Sequence, residues 1–104
     1  MSLPIAFIPE AREEFDSAVE WYENRADGLG RALRREINKV LERIATNPRV
    51  HAIVYQDVRK AVVRRFPYCV FYREDAGKLA VLSVFHTSRD PAEWYRRVKN
   101  PNGN

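Results

Sequence analysis

His86 and Arg89 close an apolar run in SVFHTSRDPAEWYRR, and their side chains suit chemistry on a phosphate. Imidazole exchanges protons near neutral pH, and guanidinium presents a planar fork of donors to phosphoryl oxygens. Lys60, Arg64 and Arg65 in VRKAVVRR and Arg73 in YCVFYRE extend the set. If adjacent strands carry these residues, one side of a sheet collects several cations and one imidazole. Strand alternation sends Lys60 and Arg64 one way and Arg59 and Arg65 the other. Only one of Arg64 and Arg65 then faces the site, and the sequence leaves open which. Cutting RNA with its own 2′-OH needs a base, an acid and cations for the charge that builds on phosphorus. Each proton-transfer group is worth roughly a hundred- to ten-thousand-fold in rate. His86 is the one obvious acid or base. A second would have to be Tyr95, Tyr72, a lysine of lowered pKa or a group from outside the chain. The non-catalytic reading makes His86 a strand-end residue and makes Arg64 and Arg65 solubilising charges or partners of an acidic helix.

Other chemistries find no support. His51 and His86 are the only histidines, and neither has acids beside it at metal-ligand spacing. Ser83 and Ser88 lie near His86 without a nucleophile elbow around them. The 4 glycines make no phosphate loop. No metal and no cofactor are therefore expected. Cys69 is a single thiol inside an apolar run, which predicts a small core filler and excludes an internal disulfide.

The elements that must position these residues follow from periodicity. Leu3–Ile8 is a short apolar strand with Pro4 near its start. Phe15, Ala18, Val19 and Tyr22 recur at helical spacing over residues 10–25, with Pro9 ahead of them and Glu13, Asp16, Glu20 and Glu23 on the outer face. Asp27-Gly28-Leu29-Gly30 breaks the pattern, with Asp27 as the expected cap of the next helix. Leu33, Ile37, Val40, Leu41 and Ile44 mark that second helix, which ends near Thr46-Asn47-Pro48. Its arginines are read as a solvated face relieved by Glu36 and Glu42. Segments 58–65, 68–74 and 79–86 are rich in Val, Phe and Tyr and predict strands, the last two covered on both faces. Residues 49–57 suggest a loop leading into an edge strand. Asp90, Pro91 and Glu93 start a final helix whose Trp94 and Val98 fold back onto the sheet, and residues 100–104 should fray. The order β-αα-βββ-α makes an α+β domain over residues 1–104, an antiparallel sheet with a helical hairpin packed on one face.

Bulk composition agrees. The 104 residues are 45% hydrophobic and 31% charged, an ordinary globular balance without a membrane span or a signal-peptide pattern. A cytoplasmic protein is the default. The formal charge of +4 divides unevenly: residues 1–48 carry 7 Lys/Arg against 9 Asp/Glu, and residues 49–104 carry 11 against 5. A basic second half suits a polyanionic partner.

Taken in order, several pieces resemble the small bacterial toxins of the RelE/ParE family, the toxin half of type II toxin–antitoxin (plasmid stabilisation) modules. They are the opening strand running into EAREEFDSAVEWYE, the DGLG turn, the helix ending LERIATNP, the hairpin VVRRFPYCVFY and the terminal LSVFHTSRDPAEWYRR. The resemblance covers nearly the whole chain and rests on order and spacing. It implies the βααβββ fold and a cytoplasmic location. It also implies a cognate antitoxin that wraps the toxin in a hetero-oligomer and sets acidic residues against the basic site. On activity the family divides. RelE-like members cut messenger RNA on the ribosome with basic residues of the central strands and a residue near the C-terminus. ParE-like members poison DNA gyrase and need no hydrolytic site. The resemblance places Arg64 or Arg65 as the central-strand phosphate ligand and His86 or Arg89 as the residue ending the last strand. Tyr95 would be the late aromatic hydroxyl, although it falls on a helix. Of the lysines typical of the ribosome-dependent cutters only Lys60 is present, and ParE-like members share an H-x-x-R-like ending. The sparse acid–base inventory tips the expectation towards a gyrase-directed inhibitor. The alternatives are a ribosome-dependent endoribonuclease and a degenerate member that binds its antitoxin without toxicity.

Overall fold

The computed structural model describes residues 2–99. Its elements are β1 (Ile5–Phe7), α1 (Pro9–Arg25), α2 (Leu29–Thr46), β2 (Ile53–Tyr55), β3 (Val58–Val62), β4 (Tyr68–Asp75), β5 (Lys78–His86) and α3 (Ala92–Lys99). This is the α+β order that the periodicity implies, with the edge strand supplied by β2. The fraying expected of residues 100–104 lies outside the described residues.

The five strands lie in the order β1-β5-β4-β3-β2. The sheet is mixed, where a purely antiparallel one was expected. The helical hairpin carries the chain from β1 across to the far edge, and three antiparallel returns bring β5 back beside β1. The two then run parallel, with Ile5 opposite Leu79 and Phe7 opposite Val81. Strand β3 is also shorter than the apolar pattern suggests. It stops at Val62, and Arg65 takes a left-handed φ of 71° in the turn before β4.

α1 and α2 lean on each other through a cap the sequence did not reveal. Asp27 does not cap α2. Gly28 is its N-cap, at φ 84°, and the carboxylate of Glu23 on α1 accepts from Gly28 N at 2.8 Å and Gly30 N at 2.9 Å. These bonds satisfy two donors that a helix start leaves open, and they hold the Glu23 carboxyl below its ordinary pKa. Gly30 makes this close approach possible: a Cβ there would sit 2.4 Å from Val19 O.

The core has two sides. Leu33, Ile37, Val40 and Ile44 of α2 and Phe15 of α1 pack against Ala61, Val70, Tyr72, Val81 and Val84. On the opposite face, Trp94 and Val98 of α3 close over Cys69, Phe71, Leu82 and Phe85. Both faces of β4 and β5 are therefore covered, as their nearly continuous apolar runs require. Val81 and Val84 are three residues apart yet reach the same core. The β4–β5 register shifts there, with Tyr72 opposite Val81 and Phe71 opposite Ser83, and the extra Leu82 resets the alternation.

Candidate functional site

The corner that the sequence singled out is organised around an acid it did not. Past Val81 the outer edge of β5 has outrun β1, which pairs only with Leu79–Val81. The open backbone groups are met by side chains. Val84 N donates to Glu14 Oε1 at 3.2 Å, and Arg97 Nη1 donates to Leu82 O at 2.9 Å. Glu14 also accepts from Ser83 Oγ at 2.9 Å, from both terminal nitrogens of Arg97 at 2.9 and 3.1 Å, and from Arg89 Nη1 at 3.0 Å. Its side chain is only 11% exposed. A carboxylate from α1 and an arginine from α3 thus seal a bare strand edge, a common point of unwanted pairing.

Arg89 is engaged on both sides, by Glu14 and by Glu93 one helical turn along. Burial opposes its charge, but the hydrogen bonds to Glu93 and Glu14 prevail and raise its pKa. A phosphate seeking Arg89 would have to displace two carboxylates. Beside it, His86 packs edge-on against Tyr68, ring centroids 5.0 Å apart. Its Nδ1 accepts from Ser88 N at 3.1 Å. A backbone N–H can only donate, so Nδ1 carries no proton and the neutral ring holds its proton on Nε2. Ser88 Oγ, 2.7 Å from Nδ1, then donates to the same nitrogen. In this arrangement His86 presents a donor and keeps its basic lone pair occupied.

The remaining cations lie elsewhere. By register, Lys60 lies opposite Phe71 on the face that α3 covers, away from His86. Arg73 is held by Asp57 at 2.7 Å. Arg64 and Arg65, expected on a strand with only one facing the site, both follow β3 and together line a separate recess with Glu36, Lys39, Val40 and Arg43. The tyrosines considered as acid–base candidates stand apart from His86. Tyr95 packs on Tyr55, centroids 4.8 Å apart, on the α3 side of the sheet. Tyr72 is buried, donates to Pro48 O at 2.7 Å, and its phenol is pushed up to about 12 by burial. Burial likewise raises the Cys69 thiol to about 11, as befits a core filler.

His86, Arg89 and Arg97 open into a cavity of about 550 Å³ along α1, floored by Tyr22, Tyr68 and Val84 and rimmed by Glu10, Glu13 and Trp21. Burial, and then Tyr22, push the Tyr68 phenol up, so it too stays protonated. Three carboxylates face two guanidinium groups here, a balance that does not favour a polyanion.

The matching family model is that of the ParE toxin of type II toxin–antitoxin systems, parDE, over residues 5–91. The chain belongs to the ParE toxin family. Among solved structures, this ParE-family chain is similar to a chromosomal ParDE toxin–antitoxin system from P. aeruginosa, at 15% identity and a TM-score of 0.68, covering 84% of this chain and 98% of that one. No curated protein matches the sequence. The role is that of a toxin whose cognate partner is an antitoxin.

Sequence reading missed two residues that organise this corner of the ParE-family toxin, Glu14 and Arg97. The signal available was weak: Glu14 is one of three acids in the first turns of α1, and Arg97 one of two arginines in Arg96-Arg97. Only the fold shows that both converge on the same open edge of β5.

Proposed function

We propose that this toxin arrests growth in the cytoplasm by acting on DNA gyrase without hydrolysing RNA, and that its antitoxin relieves the arrest. The occupied state of the corner carries this reading. Arg89 and Arg97 share Glu14, and the Nδ1 of His86 is filled by Ser88. Neither an open phosphate grip nor a base–acid pair remains where a nuclease would need both. The family supports the same reading, since the matching model is that of the ParE toxin. No helix among the described residues is long and apolar enough to cross a membrane.

The test is a supercoiling and cleavage assay with purified gyrase, relaxed and supercoiled plasmid, and the purified chain. The expected result is loss of supercoiling with accumulation of gyrase-linked breaks, both reversed by the antitoxin. Unaltered gyrase activity in the presence of a preparation that still arrests growth would overturn the proposal.

A further inference from the structure

We propose that the outer face of α2 and the β3–β4 turn form a binding surface for the phosphate backbone of duplex DNA, independent of the His86 corner. Arg31, Arg35, Lys39 and Arg43 follow one another at four-residue spacing, and all four are exposed. At about 1.5 Å of rise per residue this row spans roughly 18 Å. Like charges at that spacing weaken a helix, so the row is a cost to α2 unless something outside the chain uses it. The relief expected from Glu36 and Glu42 is small. Glu36 is buried and takes Lys39 at 3.3 Å and Arg65 at 3.9 Å. Glu42 has no cation within 4.0 Å among the described residues, and Arg31, Arg35, Arg43 and Arg64 have no carboxylate within that distance, although Arg31 interacts with Glu23 from farther off.

At its C-terminal end the row runs into a recess of about 430 Å³, where Arg64 and Arg65 face Lys39 and Arg43. Four cations therefore converge on a space with one carboxylate on its floor. Arg65 enters this arrangement through its left-handed backbone, φ 71°, a conformation that bulky residues seldom adopt. Strain of this kind is kept where the position of a side chain matters.

The chemistry of the surface selects its partner. A protein interface needs a desolvated apolar anchor, and the recess offers only the buried Val40. A single strand needs aromatic platforms, and none lines the recess, Trp21 and Tyr95 being exposed elsewhere. A duplex needs only cations in a row. The major groove of B-form DNA, about 12 Å across, admits a helix, whereas that of duplex RNA is too narrow and deep.

The test is fluorescence anisotropy of the full chain with a labelled 20-base-pair DNA duplex across a salt series. Each lost phosphate contact flattens the plot of log K against log salt by about 1. The Arg43→Gln/Arg64→Gln double variant should weaken binding at least tenfold and flatten the slope by about 2. Arg31→Gln/Arg35→Gln, at the other end of the row, should do the same, and Lys78→Gln/Arg96→Gln should change neither. All three pairs are exposed, and a thermal melt verifies that each variant is folded. Binding unaffected by both row variants, or weakened equally by the control, would overturn the proposal. So would tighter binding to a single strand or to duplex RNA of the same sequence.

Discussion

Glu14 carries more of this molecule than any other charged side chain. It holds Arg89 and Arg97 and closes the β5 edge at Val84, at a side-chain exposure of 11%. Breaking a buried ion pair from one side costs about 3–5 kcal/mol, because the partner is left charged and desolvated. Glu14→Ala should therefore lower stability by about that amount, read by denaturant unfolding, while the exposed Glu13→Ala should stay within about 0.5 kcal/mol of the parent. Equal effects at the two positions would contradict the role given to Glu14. His51 makes a pH prediction. Its Nε2 is buried without a partner, and burial, then Arg43, then Arg59, hold its pKa below the ordinary 6.5. The folded state thus favours the neutral ring. Its contribution is complete above pH 6.5 and is lost as the pH falls from there towards the lowered value. The melting temperature of the parent should drop more between pH 7.5 and 5 than that of His51→Asn. Parallel curves would show that His51 is not desolvated as described.

At the scale of elements, the joint between α1 and α2 is held by a close approach at Gly30. A side chain at Gly30 would leave room for neither Val19 O, 2.4 Å from a notional Cβ, nor the Glu23 carboxylate that caps the helix. Gly30→Ala should destabilise the chain by about 1–3 kcal/mol as an overpacked contact, despite alanine's better helix propensity. Calorimetry or denaturant unfolding checks this, and a neutral or stabilising effect would contradict the close approach. Most elements were legible in the sequence because their signals are local. The stripes of α1 and α2 and the Asp90-Pro91 start of α3 need only periodicity and cap chemistry, and Asp90 Oδ1 does accept from Ala92 N. Other features depend on partners far along the chain and were hidden. They are the parallel pairing of β1 with β5, the cap supplied by Glu23 in place of Asp27, and the extra Leu82 that redirects β5. The end of β3 was misread for a different reason. Arg64 and Arg65 continue the strand-like alternation, and nothing in the residue type of Arg65 announces a left-handed backbone.

For the whole molecule, charge separates into regions that residue counts blur. The sequence gathers Lys60, one of Arg64 and Arg65, Arg73, His86 and Arg89 on one side of the sheet. The fold spreads them over the α3 side of the sheet, the recess beside α2 and the corner beside α1. The corner is lined with carboxylates, and the open cations gather along α2, in the half of the chain with the negative sum. The proposed lack of RNA hydrolysis rests on a histidine and two half-buried arginines whose polar groups are already engaged by the fold itself. Primer extension on a defined messenger RNA held on programmed ribosomes, with and without the purified chain, puts that claim to the most direct test. No new ends should appear at the A site, from a preparation that arrests growth when expressed. New A-site ends that vanish in His86→Ala would contradict the account and make the corner an active site.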